Sequence, residues 1–355
     1  MGRRQQSISR SILNAIFRAP EHPSNKPPTL LARIIAFFSL FQLALARYKP
    51  ELFKKLRNEV WEIDEDEYTE SFRSEKKSGG LVSVGDLGYS GSTFFTTANS
   101  KYLLKSLPRA FEQNFFRDRL LAPYAAHIAT LPSSLLVRIT DLLHAPLPAL
   151  GIVLGTTPSH HIVMENILYG KSSCSEQRQQ DWETYDLKPS DYFFPERDIA
   201  GGRLAPESVK ERLIDTFPDK VRVGVDEKEA LVYTLTQDTK ILQEANAVDY
   251  SLFLVRYPYL EGEEVAHPPG RVSAWRNGVV SQDGKWVYRA VLLDFFWSKD
   301  ALQPMVLTGL VNSWNFFQRG KGNGPMSITT TAGEYRERFL RMVGEIVETA
   351  DTGEV

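Results

Sequence analysis

The stretch Gly80–Leu107, GLVSVGDLGYSGSTFFTTANSKYLLKSL, holds the first residues whose types and spacing could do chemistry. Gly88, Ser90, Gly91 and Ser92 fall in a short loop between two β-rich segments, Leu81–Val84 and Thr93–Thr97. Ala98-Asn99-Ser100 then supplies turn chemistry before a third strand over Lys101–Lys105. Glycines let backbone N–H groups approach an oxyanion with no Cβ in the way. The hydroxyls of Ser90, Ser92 and Thr93 add donors, and the period of two sets Lys105 on one face with Leu103, opposite Tyr102 and Leu104. The arrangement suits phosphate. It is neither of the better-known phosphate loops, since G-x-x-x-x-G-K-[ST] and G-x-G-x-x-G are both absent. Nor is it a nucleophile elbow, because strand-like residues follow where a helix is required. A glycine-serine turn before a lysine-bearing strand also arises for purely structural reasons.

Two carboxylates extend the set. Asp249 precedes a continuous apolar run, Leu252–Val255, that reads as a buried strand, and Asp294 ends the apolar sequence WVYRAVLLDFF. An acid so placed is costly unless it is paired, hydrogen-bonded or holding a cation. A glycine loop, a lysine one strand later and two such acids are the parts that phosphoryl transfer from a nucleotide needs. Its loose transition state asks for alignment and charge neutralisation more than covalent help. Glu112, at the start of the next helix, reads either as a partner for Lys105 or as a solvated first-turn acid.

The elements that must position these groups follow from periodicity. Residues 1–29 are basic and proline-containing, and read as disordered. Between Arg33 and Arg47 lie thirteen residues, apolar but for Ser39 and Gln42. That is short of the roughly 17 to 25 a spanning helix needs, so a buried or interfacial helix over Leu30–Ala46 is expected. Ala44-Leu45-Ala46 resembles a signal cleavage site, but the region before it is too long and proline-rich for one. Helices are predicted over Tyr48–Phe72 (broken near Asp64), Arg109–Ala129, Glu227–Ala245 and Tyr335–Val347. Further strands are predicted at Leu135–Ile139, Gly151–Leu154, His161–Glu165, Tyr185–Lys188 and Val221–Val225. The division expected is 1–29 as a basic tail, 30–165 as an N-terminal lobe with the glycine loop and lysine, and 166–355 as a C-terminal lobe with the two aspartates.

Composition excludes several classes. With 355 residues, 42% hydrophobic, the chain can bury a large core. Its 42 basic and 44 acidic side chains balance, so no global field draws it to nucleic acid. The single cysteine, Cys174, rules out an internal disulfide and a cysteine-based zinc site and fits a reducing compartment. No H-E-x-x-H or similar spacing occurs among the six histidines.

The wording of the motifs is more specific than their spacing. From about Tyr48 to Val347 the chain resembles the phosphatidylinositol phosphate kinases. Their G-K-S-G-S is similar to Gly88-Tyr89-Ser90-Gly91-Ser92, their I-I-K to Leu103-Leu104-Lys105, and their D-L-K-G-S to Asp186-Leu187-Lys188-Pro189-Ser190. Their M-D-Y-S-L-L is similar to Val248-Asp249-Tyr250-Ser251-Leu252-Phe253, and their I-I-D to Leu292-Leu293-Asp294. Their Y-x-x-R-F resembles Tyr335-Arg336-Glu337-Arg338-Phe339. The resemblance implies a two-lobed α+β fold, antiparallel sheets with packed helices, distantly like protein kinases, with ATP between the lobes. It implies that Lys105 and Lys188 contact ATP phosphates, that Asp294 binds Mg²⁺, and that Asp249 is the catalytic carboxylate near the substrate hydroxyl. The implied substrate is a phosphoinositide lipid at a membrane surface, reached by a cytoplasmic protein acting peripherally; a homodimer is compatible with it.

Three departures cut against a full transfer of these roles. Tyr89 stands where the family has a loop lysine, and Pro189 replaces the glycine after Lys188. The segment SKDALQPMVLTGL after Asp294 has Lys299 as its one lysine, where the family carries a lysine-rich run. Alternatives are therefore a catalytically degenerate kinase fold serving as scaffold or nucleotide sensor, or a kinase acting on a soluble inositol phosphate or a protein.

Overall fold

The structure is a computed structural model that describes residues 2–18, 41–73, 80–85, 92–147, 149–189, 215, 217–299 and 331–349. Gly88, Ser90 and Gly91 of the glycine loop, and most of the apolar segment 30–46, lie outside the described residues. The chain divides into two compact units that interleave in sequence. The first comprises 1–113, 137–174 and 265–272, and the second 114–136, 175–264 and 273–355. A single boundary after residue 165 is thus corrected: residues 114–136 belong with the second unit, and 166–174 and 265–272 with the first.

The first unit is built on one antiparallel sheet. Its strands are β1 (Ala46–Arg47), β2 (Leu81–Gly85), β3 (Phe94–Thr97), β4 (Tyr102–Leu107), β5 (Ile139–His144) and β6 (His160–Glu165). They lie in the order β1-β5-β6-β4-β3-β2. Helix α1 (Arg3–Phe17), α2 (Pro50–Lys55) with its π-helical continuation Leu56–Val60, and α3 (Glu65–Glu70) belong to the same unit. Tyr68 and Phe72 pack against Tyr102, with ring centroids 5.0 and 5.9 Å away. Within the stretch 1–29 expected to be disordered, Arg3–Phe17 form α1, which buries Ile8, Ile12, Ala15 and Ile16 at helical spacing, while 19–29 lie outside the described residues.

A buried charge network fixes α2 and α3 to β5. Arg57, fully buried, donates to both oxygens of Glu65 at 2.7 and 2.9 Å and to the Thr140 carbonyl at 2.6 Å. It lies 3.3 Å from Asp141, which also accepts from the Tyr68 hydroxyl at 2.8 Å. Residues 41–45 are not helical but lead into β1. Gly151–Leu154, predicted as a strand, is a one-turn helix over Leu150–Val153 that closes on Gly155 at φ 67°. Glycine alone takes that left-handed turn without Cβ strain.

The second unit holds the antiparallel sheet β11-β12-β10-β7. Its strands are β7 (Glu183–Leu187), β10 (Ser251–Pro258), β11 (Val279–Val280) and β12 (Trp286–Leu293). Two short pairs flank it: β9 (Ala247–Val248) with β13 (Trp297–Ser298), and β8 (Val221–Val223) parallel to β14 (Val347–Thr349). Helices α4 (Leu121–Thr130), α5 (Val225–Glu244) and α6 (Ala332–Ile346) supply the rest of the core. The capping box at Thr331 and Glu334 starts α6, whose Tyr335, Phe339 and Val343 are buried. Leu135–Ile139 is regular only from Ile139. Before it, Leu136 makes a lone parallel bridge to Leu292, and the Arg276 guanidinium donates to the carbonyls of Ser134 and Leu136. No helix of the described residues is long and apolar enough to cross a membrane.

Candidate active site

β7 and β12 end where β10 begins, so their termini meet at one edge of the second unit's sheet. Phe253 pairs with Asp186 on β7, and Ser251 pairs with Leu293 on β12. Asp186 and Lys188 therefore leave the end of β7, Asp249 sits just before β10, and Asp294 just after β12. The ladder breaks there: Ser251 pairs with Leu293, Val248 pairs with Trp297, and both acids lie in the gap between those pairs. Their backbones are left-handed, φ 63° at Asp249 and 60° at Asp294. Non-glycine residues adopt that conformation at a cost, and such outliers concentrate at functional sites.

Buried aromatics that follow each acid anchor these turns. Tyr250 is fully buried, its ring 4.7 Å from Tyr335 and 5.1 Å from Phe339, and its carbonyl accepts from the Tyr335 hydroxyl at 2.5 Å. The Tyr335 to Phe339 motif thus works by holding the Asp249 turn. Phe295 stacks near Tyr124 at 6.1 Å, and Phe296 meets Phe116 edge-on at 5.3 Å. Residues 114–136 hold the Asp294 turn in the same manner.

Lys188 Nζ donates to Asp249 Oδ1 at 3.0 Å, with the two side chains 13% and 18% exposed. Burial alone would lower the Lys188 pKa, but Asp249, Asp186 and Asp294 together push it up. Asp186 moves the other way from an ordinary surface acid. Burial raises its pKa, Lys188 pulls it down, and Asp294 and Asp249 raise it further. Its Oδ1 is buried with no hydrogen-bond partner among the described residues. Three of the residues singled out from sequence, Lys188, Asp249 and Asp294, thus come together. Asp186 joins them although periodicity did not mark it. Its signal was available in the motif, since a D-x-K pair on a strand puts both side chains on one face.

Lys105 and Ser92 belong to the first unit. Lys105 is 7% exposed on β4, paired in register with Phe94 on one side and Ile162 on the other, with Nζ 5.7 Å from the Phe94 ring centroid. Ser92 is buried beside Thr93, whose N–H donates to the Ser106 hydroxyl at 2.7 Å, tying the loop's exit to β4. Glu112 is 7% exposed and lies 3.5 Å from Arg109, so the solvated reading of that acid is corrected.

Sequence comparison bears on the same residues. A family model described as Phosphatidylinositol-4-phosphate 5-Kinase matches residues 76–270, which include Lys105, Asp186, Lys188 and Asp249; Asp294 lies beyond the match. A protein of Dictyostelium discoideum named probable phosphatidylinositol phosphate kinase is 30% identical over 227 residues, 61% of this chain and 28% of that one. The phosphatidylinositol 4-phosphate 5-kinase of Plasmodium falciparum is 30% identical over 236 residues, 61% of this chain and 13% of that one. The human phosphatidylinositol 4-phosphate 5-kinase type-1 beta is 26% identical over 216 residues, 58% of this chain and 34% of that one. The chain thus spans about a third or less of the length of these relatives. With more than half of its residues matched and an α+β fold of antiparallel sheets and packed helices, the chain belongs to the phosphatidylinositol-4-phosphate 5-kinase family.

Proposed function

We propose that this chain is an ATP- and Mg²⁺-dependent kinase that phosphorylates the inositol ring of a phosphoinositide lipid, acting from the cytoplasm as a peripheral protein. The observation that carries the reading is the meeting of Lys188, Asp186, Asp249 and Asp294 at one sheet edge, in a chain of this family. Lys105 and Lys188 neutralise phosphate charge, and Ser90, Ser92 and the backbone at Gly88 and Gly91 donate to phosphate oxygens. Asp249 orients the attacking hydroxyl, and with Asp186 it keeps Lys188 protonated. Asp294 offers hard carboxylate oxygens to Mg²⁺. Among the described residues no three histidine, cysteine or acidic side chains form a closed metal cage. Mg²⁺ keeps several waters and is held by one or two carboxylates plus phosphates. Held there, Mg²⁺ would offset the negative charge that develops on the transferred phosphate.

Transfer of labelled phosphate from ATP to phosphatidylinositol 4-phosphate in vesicles tests the proposal. Wild type is expected to label the lipid, and Lys105→Met and Asp294→Asn to lose at least about a hundredfold in rate. Absence of transfer to every phosphoinositide overturns it, and so does full transfer by Asp294→Asn. A second reading, a nucleotide-binding scaffold or sensor, is favoured by Pro189, which removes one N–H donor beside Lys188. In a sensor, ATP with Mg²⁺ raises stability by about 2.7 kcal/mol at a hundredfold excess over Kd without turnover, whereas a scaffold shows no shift.

A further inference from the structure

Helix α1 carries Arg3, Arg4, Arg10 and, at its end, Arg18, with no acid between residues 2 and 18. Its apolar stripe is used within the first unit: Ile8, Ile12, Ala15 and Ile16 are buried. Hydrogen bonds hold it along its length. Arg4 Nε donates to the Thr156 carbonyl at 2.7 Å, the Leu43 N–H to the Ser11 hydroxyl at 3.0 Å, and Arg47 Nη2 to the Ile16 carbonyl at 3.0 Å. The outward stripe is Arg3, Gln6, Arg10, Asn14 and Phe17, all exposed and at helical spacing.

The Arg4 bond sets the start of this helix beside the one-turn helix Leu150–Val153. There Val153 and Leu154 stand 69% and 59% exposed, next to Gly155 and one turn from Thr156. Phe17, at the other end of α1, is 42% exposed. A fixed basic helix bounded by outward apolar side chains has the composition of an interfacial membrane contact. Arginines meet anionic headgroups, and the apolar tips enter the boundary with the acyl chains. A nucleic-acid backbone would take up the arginines and leave Val153, Leu154 and Phe17 in water.

We propose that the outward face of α1, together with the Val153–Leu154 knuckle, is a docking surface for an anionic lipid bilayer. The proposal deepens the reading of the chain as a lipid kinase by naming the surface that would meet the membrane. It is tested without ATP or turnover, so the two fail separately.

The test is sedimentation of the full chain with phosphatidylcholine vesicles containing or lacking 30% phosphatidylserine, with duplex DNA as competitor. Binding is expected to the anionic vesicles alone and to weaken with added salt. Each basic residue near such a surface is worth about a fivefold change in partition, so the triple variant R3E/R10E/R18E should lose at least a hundredfold. The triple variant R3K/R10K/R18K should bind as wild type, and V153D/L154D should weaken binding with circular dichroism unchanged. Equal binding to neutral vesicles, binding by R3E/R10E/R18E at wild-type strength, or displacement by DNA at equimolar phosphate would overturn the proposal.

Discussion

Asp249 and Asp294 occupy the same break in one antiparallel ladder, each on a left-handed backbone, between the pairs Ser251–Leu293 and Val248–Trp297. The left-handed turn costs an L-residue roughly 1–2 kcal/mol, least for Asp and Asn, whose short polar side chains tolerate it. Asp249→Asn and Asp294→Asn should therefore leave stability within about 0.5 kcal/mol of wild type while removing charge. Asp249→Val and Asp294→Val should each cost at least about 1 kcal/mol more, because β-branching worsens the same φ. Urea unfolding of the four variants checks this, and equal stability of the Asn and Val pairs would refute it.

Lys188 is the cation among three carboxylates, and its removal should show a pH signature. Its raised pKa means the native state holds the proton more tightly than the unfolded chain. Its contribution is then fully present below its ordinary 10.5 and lost only as pH rises through the higher native value. Asp186, also raised, makes the native state prefer the protonated acid, so stability falls as pH climbs through the window above 3.8. Lys188→Met should cost about 1–3 kcal/mol at pH 8, where it removes the cation set among Asp186, Asp249 and Asp294. At pH 5 the deficit should shrink, because Asp186, whose pKa burial already raises, takes up a proton more readily there. A deficit independent of pH would show that Lys188 acts by packing.

How much of this was legible depends on what each residue was flanked by. Asp249 and Asp294 stood out because an acid beside a buried apolar strand is costly. Strands β3, β4, β6, β10 and β12 carry the β-branched and aromatic residues that mark them. Asp186 sits in TYDLKP, too polar to read as buried, and only the edge of the sheet gives it neighbours. Arg57 reads as one of several charges on a surface helix, and nothing local says that Asp141, 84 positions on, will bury it. In α1, Ile8, Ile12 and Ile16 recur every four residues, but the basic composition around them masks the stripe. Leu150–Val153 is too short an apolar run for periodicity to separate helix from strand.

His161 on β6 gives the first unit an acid sensitivity of its own. It is 1% exposed, both ring nitrogens lack hydrogen-bond partners among the described residues, and burial pushes its pKa down to about 3, with His160 adding to the shift. The native state therefore refuses a proton that the unfolded chain accepts below 6.5. The stability present above 6.5 is lost as pH falls toward about 3, by up to about 1.4 kcal/mol per pH unit. His161→Leu should match wild type within about 1 kcal/mol at pH 7.5 and gain on it steadily below pH 6. Denaturant titrations at pH 7.5, 6, 5 and 4 read the difference, and parallel curves would show that His161 takes up its proton as readily in the folded state as in the unfolded chain.

Arg138, 1% exposed at the approach to β5, carries the segment 265–272. Its guanidinium donates to the carbonyls of Pro269 at 2.8 Å and Arg271 at 2.6 Å, while Glu165 accepts from its backbone N–H at 2.9 Å and lies 3.9 Å from Nη1. Arg138→Met would strip both carbonyls of their donor and remove the guanidinium 3.9 Å from the buried Glu165, a loss of about 3–5 kcal/mol. The segment should then become the first site of cleavage under limited proteolysis. Gly270 supplies a second check, since its φ is 94° and a Cβ there would stand 2.7 Å from the Trp61 carbonyl oxygen and 3.0 Å from Arg138 Nη1. Gly270→Ala should open the same segment without removing the Arg138 guanidinium. If Arg138→Met unfolds the unit globally but Gly270→Ala leaves 265–272 protected, the arginine serves the core around Glu165 and not the strap.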